Sequence, residues 1–149
     1  MRLLLIAVGV LLVDQVSKLY IIRNMALGDS LPVINEVFHL TYVKNPGAAF
    51  SILQHQTGLF IAIAVLLLLA VAYYYPRLPQ GYPLLRIGIG LQVGGAAGNL
   101  LDRIRTGYVT DFLDFRIWPV FNIADIGIVL GVGLLFREII RMPGKAEHR

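Results

Sequence analysis

Residues Leu59 to Tyr75, LFIAIAVLLLLAVAYYY, run for seventeen positions without a charge, and tyrosine hydroxyls are their only polar side-chain groups. As a helix, at 1.5 Å per residue, the run is about 26 Å long, close to the roughly 30 Å hydrocarbon core of a bilayer. Three tyrosines close it, and rings with a polar tip are stable at a membrane interface. One such segment commits the chain to a membrane. Composition agrees: the 149 residues are 57% hydrophobic and 15% charged, with mean hydropathy +0.72. A soluble domain carries about 25% charged residues. A soluble enzyme is therefore disfavoured and intrinsic disorder is excluded. Cysteine is absent, which removes disulfides, thiolate metal sites and a Cys nucleophile. The net charge of +4 and pI near 9.6 read as basic ends of a membrane protein, not as nucleic-acid binding.

Three further segments are apolar but interrupted. Leu3–Val13 is followed by Asp14 and Lys18 before Leu19–Ile22 resumes; 84–101 contains Arg86 and Asn99; 121–136 contains Asn122 and Asp125. Each crosses a bilayer if its polar residues sit near a surface or face the bundle interior. The expected architecture is an all-α membrane protein with four transmembrane helices, at about 3–22, 58–75, 84–104 and 121–140. Residues 1–149 form one integral membrane domain. The first span also has the basic start and apolar core of a signal peptide, but Asp14-Gln15-Val16-Ser17-Lys18 follows with no small-x-small cleavage site.

Four spans put both termini on one side, with seven Lys/Arg against six on the other, while seven of nine acids lie on the second side. The termini are read as cytoplasmic. Loops 23–57 and 105–120 are then extracytoplasmic. Val37–Val43 is rich in β-branched and aromatic residues and reads as a strand, ended by the turn Asn45-Pro46-Gly47. Tyr108–Phe112 and Phe115–Trp118 read as further short strands. A small β-sheet or cradle on the outer membrane surface follows.

A charge at the bilayer centre costs roughly 2.5–3.5 kcal/mol, so polar residues in these spans carry information. Asp14 and Lys18 are four apart and share a helix face, either as a self-neutralising pair or as a brace for a nearby site. Gly90, Gly94 and Gly98 form a smooth stripe that admits another helix closely. Asn99, Asp102 and Arg103 follow on one face. Asp102 beside Arg103 suggests an ion pair or a network that orients something else, and a solvated helix end is the alternative. Asp111 and Asp125 fall at the same depth, and neither has a basic residue three or four positions away. If they meet, like-charge repulsion makes them share a proton, so one serves as general base on water and the other as acid toward a carbonyl. Otherwise Asp125 caps a helix and Asp111 is merely exposed. Asp111 and Asp114 also form a D-x-x-D of the kind that holds Mg²⁺, with no second acidic cluster and no glycine-rich phosphate loop beside it. His39, His55 and His148 lack metal-ligand spacing, and Ser17 and Lys18 are adjacent in sequence and so do not share a helix face.

At these residues the sequence resembles the lipoprotein signal peptidases, or signal peptidase II. The resemblance runs through the chain in order: Asp14-Gln15-Val16-Ser17-Lys18, Asn45-Pro46-Gly47-Ala48-Ala49-Phe50, Gly94-Gly95-Ala96-Ala97-Gly98-Asn99-Leu100-Leu101-Asp102-Arg103, Val109-Thr110-Asp111-Phe112 and Phe121-Asn122-Ile123-Ala124-Asp125. No motif position departs from it, and Asp114 lies outside the motifs. The resemblance implies an aspartyl endopeptidase of the bacterial inner membrane that needs no metal or cofactor. Its substrates are prolipoproteins already carrying a diacylglyceryl group, cut just before the lipidated cysteine, and globomycin-type inhibitors are expected to bind. Asp111 and Asp125 fall on the catalytic pair, Asn99, Asp102, Arg103 and Asn122 on supporting positions, and Asp14, Lys18, Asn45 and Gly47 on other motif positions. Asn45 is expected to hydrogen-bond the substrate backbone, Asn99 a substrate carbonyl or a dyad oxygen. The glycine stripe is expected to admit the signal helix. Arg103 is expected to point away from the carboxylate pair, because a cation in contact would strip the shared proton. The rival readings are a four-helix transporter or scaffold, disfavoured because the polar residues cluster at one end, and a Mg²⁺-dependent lipid phosphotransferase using Asp111 and Asp114.

Overall fold

The computed structural model describes residues 2–47, 56–78 and 81–141. Four helices carry the fold: α1 (Arg2–Asn24), α2 (Thr57–Tyr74), α3 (Pro83–Thr106) and α4 (Ile123–Arg141). They lie within three residues of the expected spans. Proline opens α3, where its missing N–H costs no helical bond. Gly107, in the left-handed region at φ 84°, closes it with its N–H on the Arg103 carbonyl. Helix α3 is the central post, packed against α1, α4 and α2.

Among the described residues, three helical stretches are long and apolar enough to cross a membrane by length and composition: Arg2–Asn24, Thr57–Arg77 and Pro83–Thr106. The fourth expected span does not reach that standard, because the 19 residues of α4 include Asp125, Arg137, Glu138 and Arg141. The helices turn Leu, Ile and Val outward and keep small and polar groups inside, the reverse of a soluble bundle. The glycine stripe explains how. A side chain at Gly94 would meet the Ala7 carbonyl at 2.6 Å, and one at Gly98 would meet Asp14 Oδ2 at 2.5 Å. Helix α1 therefore occupies the stripe, which corrects the expectation that it admits the signal helix.

Three strands, β1 (Ser30–Ile34), β2 (Phe38–Asn45) and β3 (Val109–Asp114), form an antiparallel sheet in the order β1-β2-β3. β2 and β3 are the expected strands. β1, which the sequence reading does not include, carries Pro32 and lies at the edge of the sheet, where proline is tolerated. Residues 115–118 are not a strand: Arg116 has φ 66° and the chain bends there. After the bend the backbone returns to β3, with Phe121 N–H on the Leu113 carbonyl at 3.1 Å and Leu113 N–H on the Phe121 carbonyl at 2.8 Å. This return fixes the start of α4 against β3. Ile21, Met25, Tyr42 and Phe112 make a small apolar core where the sheet meets α1.

Candidate active site

Asn122 immediately precedes α4 and caps it. Its side-chain Oδ1 accepts the Asp125 N–H at 3.0 Å, and Asp125 Oδ2 accepts the Asn122 N–H at 3.2 Å. This reciprocal capping box satisfies two otherwise orphaned donors and locks the Asp125 carboxylate at the helix start. The amide of Asn122, fully buried, donates to Asp111 Oδ1 at 2.6 Å and to Asn99 Oδ1 at 3.1 Å. Asn122 thus links the two aspartates, one on β3 and one on α4. Asp111 and Asp125 come together as expected. Asp125 also caps α4, while Asp111 is buried rather than exposed.

The remaining polar residues build outward from that pair. Asn99 donates to Asp125 Oδ1 at 2.8 Å. Its own Oδ1 accepts from Lys18 Nζ at 3.0 Å. An ammonium can only donate, so Lys18 fixes which end of the Asn99 amide faces Asp125. Lys18, 2% exposed, also pairs with Asp14 and Asp102, each at 2.9 Å. Asp14, 0% exposed, accepts the Ala124 N–H at 2.9 Å, and Asp102 accepts the Thr110 N–H at 3.1 Å. One ammonium therefore ties α1 to α3, to α4 and to β3. The i, i+4 pair is present as expected, with Lys18 rather than Arg103 as the partner of Asp102.

Among the described residues Arg103 makes no hydrogen bond or salt bridge to Asp111 or Asp125, although it lies near enough for both carboxylate charges to act on it. Its Nη2 donates to the Gly47 carbonyl at 3.1 Å, and its guanidinium lies over the Phe60 ring, 4.8 Å from the centroid. Asn45 donates to Asp111 Oδ2 at 3.0 Å while its Oδ1 accepts the Gly47 N–H at 2.9 Å. Asn45 thus uses one of its two amide N–H groups on Asp111. Ala48, Ala49 and Phe50 of the same motif lie outside the described residues.

Asp111 is 3% exposed. Burial pushes its carboxyl up and the Asp125 charge adds to the rise, to about 7, against the hydrogen bonds from Asn45 and Asn122 and the attraction of Lys18. Asp114 behaves oppositely. Burial pushes it up, but the Thr41 hydroxyl and the backbone and guanidinium N–H groups of Arg116 outweigh that and hold it below the usual carboxylate value. Residues three apart in a strand face opposite ways, so Asp111 and Asp114 do not converge on one ion.

Sequence reasoning did not single out Gln15. Its Nε2 donates to Asp14 Oδ2 at 3.1 Å and to Asp102 Oδ1 at 3.0 Å, bridging two like charges. The signal was present: an amide inside an apolar span needs partners. An apolar groove of about 510 Å³ lined by Phe115, Trp118, Phe121, Val129 and Leu130 opens beside Asp125.

Apolar helices around a polar floor that carries two neighbouring carboxylates are the layout of a membrane-embedded protease of the aspartic type. The sequence profile of the family described as Signal peptidase (SPase) II matches residues 6–141, and the chain belongs to that family. A lipoprotein signal peptidase of Moorella thermoacetica is 50% identical over 145 residues, covering 97% of each chain. Another, from Pelotomaculum thermopropionicum, is 50% identical over 149 residues, covering 100% of this chain and 98% of the relative. Among solved structures, a bacterial membrane enzyme superposes with TM-score 0.90 at 35% identity, covering 99% of this chain and 93% of that one.

Proposed function

We propose that the chain removes signal peptides from diacylglyceryl-modified prolipoproteins, cutting just before the lipidated cysteine, with Asp111 and Asp125 as the catalytic pair. The observation that carries the reading is Asn122, whose side chain bonds Asp111 while its backbone bonds Asp125. Asp111, held neutral by burial, is the acid. Asp125, the more accessible of the two, is the base. Asp125 takes a proton from a water whose oxygen attacks the scissile carbonyl carbon. Asp111 gives its proton to the carbonyl oxygen, forming a neutral gem-diol. Collapse of the diol breaks the C–N bond as the proton held on Asp125 passes to the departing nitrogen, and the proton released by the diol returns to Asp111. Asn99 and Asn122 steady the oxygens of the pair, and Lys18 orients Asn99. Arg103 holds the Gly47 carbonyl, just past the end of β2.

The proposed topology places both termini in the cytoplasm and the pair near the outer leaflet, with α4 as the fourth crossing. In α4, Asp125 would sit at one surface and Arg137, Glu138 and Arg141 at the other, so none of its charges need lie at mid-depth. The whole chain acts as one membrane domain in the bacterial inner membrane. A lipid-anchored substrate stays in the bilayer, each buried CH₂ contributing about 0.8 kcal/mol, so a site at the membrane surface meets the cut position. Globomycin-type inhibitors would compete there. The test is incubation of the purified chain with a diacylglyceryl-modified prolipoprotein, followed by a gel shift. Loss of the signal peptide supports the reading, and an uncut substrate alongside a folded enzyme overturns it.

A further inference from the structure

Thr110 and Asp111 are neighbours in β3 and so face opposite sides of the sheet. Asp111 faces Asn122 and the start of α4. Thr110 faces a second cleft, of about 320 Å³, between α1 and α3. One wall is apolar: Leu12, Val16 and Leu19 lie on one face of α1, spaced by four and three residues. Val16 is 65% exposed within a helix apolar enough to cross a bilayer. The rim is different. Arg105, in the last turn of α3, is exposed, and among the described residues its guanidinium makes one hydrogen bond, to Gln15 Oε1 at 3.5 Å. The rest of that donor fork is unengaged. Lys18 and Asp102 form the floor, and they are already paired with each other.

We propose that this cleft is a phospholipid site, with the phosphodiester on Arg105 and one acyl chain along Leu12, Val16 and Leu19. An apolar channel in a membrane-spanning helix that ends at a cation matches a chain ending at an anion. The planar guanidinium takes two phosphate oxygens at once. The cleft does not suit the diacylglyceryl group of a substrate. That group carries no phosphate, and the Lys18–Asp102–Asn99 layer separates the cleft from Asp125. Inorganic phosphate matches Arg105 but leaves the apolar wall unfilled. The lipid would rest on the residues that bind Thr110 and so hold β3, beside the pair yet not part of it.

Native mass spectrometry of the full chain in a phosphate-free detergent tests this, with phosphatidylglycerol and a diacylglycerol of the same chains as probes. Parent protein is expected to retain phosphatidylglycerol, with diacylglycerol retained about tenfold less, as befits loss of a charge-assisted contact. Arg105→Gln should weaken phosphatidylglycerol retention by a similar factor. Val16→Trp, at a lipid-facing position where a larger apolar side chain does not threaten folding, should weaken it by filling the channel. It decides the matter if Arg105→Gln fails to fold. Equal retention of the two lipids overturns the proposal, as does undiminished phosphatidylglycerol binding in Val16→Trp. Displacement of the lipid by inorganic phosphate would also overturn it, assigning Arg105 to a free anion instead.

Discussion

Asp111 holds its proton to about pH 7 in the folded chain, whereas an unfolded aspartate releases it near pH 4. Between those values the folded state binds the extra proton, so stability falls as pH rises from about 4 to about 7 and then levels off. Asn at this position has no proton to lose. Asp111→Asn should therefore gain Tm relative to the parent across that window; a Tm difference that stays flat from pH 5 to pH 8 contradicts the buried neutral acid. Cleavage by the parent should decline above pH 7 as Asp111 ionises. Asp111→Asn and Asp125→Asn should each reduce cleavage by about 10³-fold or more, since an amide neither accepts nor donates the required proton. Asp114→Asn should change it little, because Asp114 is occupied by Thr41 and Arg116. A loss at Asp114 as deep as at Asp111 would transfer the acid role. These carboxylates were legible in the sequence because an unpaired charge beside an apolar span is rare. The true partner of Asp102 was not legible. Adjacency suggested Arg103, but consecutive residues on a helix diverge, and the partner came from another helix 84 positions earlier, at Lys18.

Elements meet at Lys18. The sheet and four helices share few large apolar contacts, and polar ties stand in for them: α1 reaches α3 through Asp102 and Asn99, α4 through Asp14 and the Ala124 N–H, and β3 through Asp102 and the Thr110 N–H. Removing the ammonium leaves two buried carboxylates facing one another. Lys18→Met should cost about 3–5 kcal/mol of stability, read as a loss of folded yield or a lower Tm. Asp102→Asn added to it should recover part of that loss by removing one of the two charges. If the double variant is no better than Lys18→Met alone, the pairing energy lies elsewhere. The helices themselves were readable to within three residues, α2 from one unbroken apolar run and the other three from apolar runs interrupted by polar residues. The sheet was only partly readable. Five-residue β1 lies on an edge with all its positions exposed and a proline inside it, so neither alternation nor composition marks it.

At the scale of the whole molecule, the polar network around the proposed pair lies at one end of the bundle. Asp14, Lys18, Asn99, Asp102, Asp111 and Asp125 lie where α1, α3 and α4 meet the sheet, while α2 between Thr57 and its closing tyrosines presents apolar surface and buries no residue. A transport path would need polar groups at several depths. The proposed hydrolysis needs them at one, level with a peptide bond held at the membrane surface by its lipid. The groove beside Asp125 is apolar, exposing Ile117 at 94%, so it favours a substrate that brings hydrocarbon to the site. A prolipoprotein lacking its diacylglyceryl group should be cut at least about tenfold more slowly in bilayers, since even a few CH₂ groups buried at about 0.8 kcal/mol each exceed the 1.4 kcal/mol that a factor of ten represents. Chelation by EDTA should leave the rate unchanged, because Asp111 and Asp114 face apart and each already has its own partners. The two measurements separate the remaining readings. Equal rates with and without lipid would detach the site from the membrane surface, and inhibition by EDTA would return the acidic residues to metal chemistry. Lipid dependence together with indifference to EDTA is the pattern that a proton-sharing aspartate pair at the end of an apolar bundle should give.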